Sequence, residues 1–110
     1  MTAKKSDSEG ALHITDQHRW KDAMIYDLRC KDVRLTLSVT PRTAPTDESE
    51  WRIDAQSGRA ADTVVVTAWG PTRVEALRRL GESWTSSEAN GLPHFDWSAI
   101  EKALTAVRAL

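Results

Sequence analysis

The segment that most restricts this chain runs from Val64 to Leu80. Val64-Val65-Val66 continues through Thr67, Ala68 and Trp69 to Gly70-Pro71, and an amphipathic run follows. β-Branched and aromatic residues suit an extended backbone, and a Gly-Pro pair ends it. Thr72 with Glu75 three residues on is a capping box. Val74, Leu77, Leu80 and Trp84 then form one apolar stripe, with Arg73, Arg78, Arg79 and Glu82 outside it. The segment therefore predicts strand, tight turn and capped helix. It holds no nucleophile in a recognisable setting, no metal cluster and no phosphate loop.

Two further strands precede it. Val33, Leu35, Leu37 and Val39 alternate with Arg34, Thr36, Ser38 and Thr40, which gives a strand with one buried face. Pro41 is expected to end it, and Pro45 breaks the loop from Arg42 to Ser49. A second strand covers Glu50 to Gln56, with Trp51, Ile53 and Ala55 on one side. Ser57-Gly58-Arg59 is a turn, and the third strand runs from Thr63 to Trp69. Such short connections favour an antiparallel meander. After the helix, Ser86 to Pro93 is a loop with an Asn90-Gly91 turn. A last helix starts near Asp96 or Ser98, the latter forming a capping box with Glu101. Its stripe is Trp97, Ile100, Leu104 and Val107.

Residues 16–30 have two readings. Trp20, Met24 and Leu28 recur every four residues, which predicts a helix capped by Thr15 or Asp16. Met24, Tyr26, Leu28 and Cys30 also alternate, which suits a strand turning at Lys31-Asp32. With the helix preferred, the fold class is α+β: a three-stranded antiparallel meander packed on one face by two or three helices, in the order α-β-β-β-α-α.

At 110 residues the chain is one domain, here residues 12–110 behind a polar tail, residues 1–11, that reads as disordered. The formal net charge of −1 provides no field for a polyanion or an anionic membrane. Cys30 is the one cysteine, so no internal disulfide forms, and neither a signal peptide nor a membrane span is evident. A cytoplasmic protein is expected. Five tryptophans against one Phe and one Tyr is unusual, and Trp favours core boundaries and interfaces.

Function must come from what the core leaves outside. With Val64 and Val66 inward, the outer face carries Arg34, Thr36, Ser38, Arg52, Asp54, Gln56, Thr63, Val65, Thr67 and Trp69. Val65 and Trp69 make an apolar spot on a polar face, with Arg34 and Arg52 as its rim. That pattern points to a non-enzymatic module binding a protein partner or a second copy of itself. The alternative is nucleic-acid binding through Arg73, Arg78 and Arg79, and a further one is a ligand pocket or active site between sheet and helices. Those arginines have Glu75 and Glu82 at pairing distance, which suits a solvated helix face. His13, His18, His94 and Cys30 do not have metal-ligand spacing, so neither metal nor cofactor is expected, and catalytic residues are none.

Gly70-Pro71-Thr72-Arg73-Val74-Glu75-Ala76-Leu77, behind a Val-rich strand, resembles the Gly-x-Thr-x-x-Glu-Ala-Leu turn and helix of HicB-type antitoxin domains. The resemblance covers eight residues closely and about forty loosely. It implies a compact sheet-and-helix regulatory module. HicB-like proteins commonly add a DNA-binding segment, for which only residues 96–110 remain here. The helix-strand-strand-strand-helix order also resembles a double-stranded-RNA-binding domain. That family relies on basic residues in its last helix, where this chain has Arg73, Arg78 and Arg79, and on a loop that here contains Asp47, Glu48 and Glu50.

Overall fold

The computed structural model describes residues 12–30, 33–43, 49–57 and 64–110. The expected tail over 1–11, the Gly58-Arg59 part of the turn after Ser57, the loop acids Asp47 and Glu48, and Thr63 lie outside those residues. Five strands form one antiparallel sheet in sequential order: β1 (Leu12–Trp20), β2 (Ala23–Cys30), β3 (Val33–Thr43), β4 (Ser49–Ser57) and β5 (Val64–Gly70). Two helices follow, α1 (Arg73–Ser87) and α2 (Trp97–Ala106), with a 3₁₀ turn over Glu88–Asn90 between them. The α+β class and the meander hold, with five strands rather than three. No helix among the described residues is long and apolar enough to cross a membrane.

Residues 12–30 are a β-hairpin, not a helix. The four-residue spacing of Met24 and Leu28 is also a multiple of two, so both fall on one strand face beside Tyr26. Tyr26 opposes Leu37 and Leu28 opposes Leu35, so this face extends the core of β3. Trp20 belongs to the other arm of the hairpin and to the opposite face. The two arms join through Lys21-Asp22, where Lys21 takes a left-handed φ of 57°. The register shifts between Ile14 and Asp16, a bulge at Thr15. Before it, Leu12 and Ile14 pack on the core; after it, Asp16, His18 and Trp20 point away. Pro41 does not end β3, which continues to Thr43 with Pro41 opposite Trp51. The register of β2 against β3 stops at Val39, so the proline sits where its strand has a single neighbour.

The core lies between one sheet face and the helices. Leu28, Leu35, Leu37, Ile53 and Ala55 are fully buried, as are Ala76, Leu77, Leu80, Trp84, Ile100 and Leu104 across from them. α1 lies against β4 and β5, while α2 packs on α1 and β1. Thr72 Oγ1 accepts the Glu75 N–H at 3.1 Å, so that cap forms as expected. The reciprocal arm does not: the Glu75 carboxylate pairs with Arg79 instead. For α2, Asp96 is the cap, accepting the Ser98 and Ala99 N–H groups. Glu101 is drawn away to Arg78, and Val107 lies past the helix end and is exposed.

Candidate functional site: the open face of the sheet

The helices cover one face of the sheet and leave the other open. Register places its side chains in rows. His18, Ile25, Ser38, Asp54 and Thr67 form one row across all five strands, and Asp16, Asp27, Thr36, Gln56 and Val65 form the next. At the β1–β2 turn end, Trp20 opposes Ala23, while Thr40 opposes Arg52 and Arg52 opposes Trp69. An indole therefore stands at each edge of the face, with small or polar residues between. The central part is a trough of about 510 Å³.

Trp20 is 60% exposed, Val65 55% and Trp69 41%, which is far from the burial such side chains reach in a core. The expected spot at Val65 and Trp69 is present on this face. Arg34 is exposed on it, in register with Arg29. Arg52 lies within the row that ends at Trp69, with Nε 3.2 Å from Asp54 Oδ2. Trp20 and Ile25 were not anticipated here, because a helix over residues 16–30 hides them. The signal was the alternation of Met24, Tyr26, Leu28 and Cys30, which assigns the odd residues of β2 to this face.

The polar groups of the face largely satisfy one another. Thr36 donates to Asp27 at 2.8 Å and Thr67 donates to Asp54. Asp16, His18 and Asp27 bring donor atoms within 4.8 Å of one another. His18 Nδ1 already lies 2.8 Å from Asp16 Oδ2, and Asp27 already accepts from Thr36. Among the described residues, three arginines, 29, 34 and 52, share the face with three aspartates, 16, 27 and 54, so their formal charges balance. A balanced face neither steers a polyanion nor repels a copy of itself.

The arginines after Gly70 diverge. Arg78 makes a two-pronged contact with Glu101, at 3.0 and 3.2 Å, which holds the Glu101 carboxyl below its usual range. Arg79 donates to the Trp69 carbonyl at 3.0 Å and pairs with Glu75. Arg73 lies over the Trp51 ring, 5.0 Å from its centroid. Two of the three guanidinium groups are thus matched by carboxylates. The metal-type residues are also dispersed: His13 and His18 on β1, Cys30 at the end of β2, and His94 beside Glu88. No protein-family model, curated protein or solved structure matches this chain.

Proposed function

We propose that this protein is a non-enzymatic interaction module that pairs with a second copy of itself through the open face of its sheet. The observation that supports the reading is an exposed indole at each edge of a face that is otherwise polar and charge-balanced. A two-fold axis parallel to the strands and passing through β3 exchanges the edges. It sets Trp20 of each copy over Trp69 of the other, an isologous contact. Aromatic residues at such positions are the usual anchors of an interface.

The size of the face sets the strength. Five strands at about 4.8 Å spacing and seven residues at about 3.3 Å rise span roughly 550 Å² per copy. The pair then buries about 1,100 Å², near the lower bound for a specific interface, so association is expected at micromolar concentration. Trp69→Ala is expected to weaken it about tenfold or more, read from the concentration dependence of sedimentation. Arg78→Ala, on the helical side, is expected to leave it unchanged. Equal association of the wild type and Trp69→Ala would remove the proposal.

A compact regulatory module is also what the HicB-type resemblance of residues 70–77 implies, and self-pairing suits it. The nucleic-acid reading has less behind it, since Arg78 and Arg79 are engaged by Glu101 and Glu75. The element order behind the RNA-binding resemblance has a helix at residues 16–30, where the β1–β2 hairpin stands.

A further inference from the structure

The helical side of the sheet carries a second concavity, of about 330 Å³, at the β1–β2 turn end. Arg19, Arg73 and Arg108 line it, from β1, the first residue of α1 and the turn after α2. Asp22 is the carboxylate among its lining residues. Arg52, Arg78 and Arg79 each have a carboxylate partner; among the described residues the three cavity arginines, like Arg29 and Arg34, have none. Three arginines and one carboxylate among the lining residues leave a local excess of positive charge among the described residues, in a chain of net charge −1.

Tyr26 points to the same place. It is 5% exposed and lines the cavity, yet its hydroxyl makes no hydrogen bond to any described residue. The ring is buried but the hydroxyl is not sealed in the core, so it is available as a donor to whatever enters the cavity. Burial raises the Tyr26 pKa, and the nearby Arg73 charge opposes that rise, so the hydroxyl remains a donor at neutral pH. Arg73 lies over Trp51, its Cζ 5.0 Å from the ring centroid, and a guanidinium so placed can still make a forked contact with an oxyanion.

Arg108 is the third sign. α2 ends in a Schellman motif: Ala109 N–H donates to the Leu104 carbonyl at 2.8 Å and Arg108 N–H to the Thr105 carbonyl at 3.0 Å. The left-handed position of that motif favours glycine, and here Arg108 occupies it with φ 60°. Arg108 thus carries a backbone cost at a position that lines the cavity.

We propose that this cavity binds a small organic oxyanion, its charged head held by Arg73, Arg108, Arg19 and the Tyr26 hydroxyl, and its short apolar body against Met24, Val39 and Trp51. The volume is at the small end of ligand sites, which limits the body to about one ring. The site lies on the opposite side of the sheet from the self-pairing face, so the two readings fail independently.

The test is an NMR titration of the full chain, following the Trp51 indole N–H. Phenyl phosphate and benzoate are the organic anions, with inorganic phosphate and benzyl alcohol as references. At least one organic anion is expected to bind with a Kd below about 1 mM, a reasonable affinity for about ten heavy atoms. Inorganic phosphate is expected to bind about tenfold more weakly, and benzyl alcohol not to bind. Arg73→Gln is expected to weaken binding about tenfold. Arg108→Gly is expected to weaken binding while raising the melting temperature, an opposition that a purely structural arginine does not produce. No response at Trp51 to either organic anion would overturn the proposal. So would an equal response to benzyl alcohol or inorganic phosphate, or undiminished binding by Arg73→Gln.

Discussion

Trp84→Ala is expected to destabilise the fold by about 4–5 kcal/mol, the largest effect of any single truncation. Trp84 has no exposed surface. It meets Phe95 edge-on with ring centroids 5.6 Å apart and Trp97 at 5.9 Å, and its Nε1–H donates to the Pro93 carbonyl at 2.8 Å. Truncation therefore opens a cavity, removes two aromatic contacts and leaves a carbonyl unpartnered, all in the layer that fixes α2 to α1. Domains of this size have about 5–15 kcal/mol in total, so the variant loses between about a quarter and all of its stability. Trp84→Phe keeps most of the area and loses the donor, and about 2 kcal/mol is expected. Denaturant melts measure both. A cost below about 1 kcal/mol for Trp84→Ala would mean that α2 is not held through this cluster.

Gly70→Ala is the second large effect, at about 2–3 kcal/mol. A Cβ at Gly70 would stand 2.6 Å from the Ala76 backbone nitrogen and 3.0 Å from its Cα. The obstacle is the first turn of α1 itself, pinned by the Thr72 cap, and no side-chain rotation relieves it. Gly81 provides the comparison. A Cβ there meets Trp97 Cγ at 2.9 Å, so the obstacle is one side chain at the start of α2 and not a backbone segment. A mid-helix glycine also regains about 1 kcal/mol of helix propensity on becoming alanine. Gly70→Ala is thus expected to cost clearly more than Gly81→Ala in parallel melts. The reverse order would show that β5 and α1 are less tightly joined than described.

The parts of the fold legible in the sequence are those where one physical signal acts alone. Val33 to Thr40 and Trp51 to Gln56 alternate strictly because one face meets the helices and the other meets solvent. The same logic places Val65 and Trp69 outward once Val66 and Ala68 oppose Ala55 and Ile53. Thr72 was legible as a cap because cap chemistry is local. Residues 16–30 are ambiguous for a definite reason: a spacing of four satisfies both helix and strand periods. The Thr15 bulge then exchanges faces within β1, so no single alternation runs through it. Trp20 was lost from the site with that hairpin. The arginine cavity was not legible at all, since Arg19, Arg73 and Arg108 come from three separate elements and meet only in the folded chain.

The account rests on the open face pairing with itself, and the most direct test is intermolecular contact mapping by NMR on a mixture of labelled and unlabelled protein. Above the dissociation constant, the account predicts contacts between the Trp20 indole of one copy and the Trp69 indole of the other, with Val65 and Ile25 also affected. A chain that remains monomeric at about 1 mM, far above the expected micromolar constant, would contradict it, as would intermolecular contacts confined to the helices.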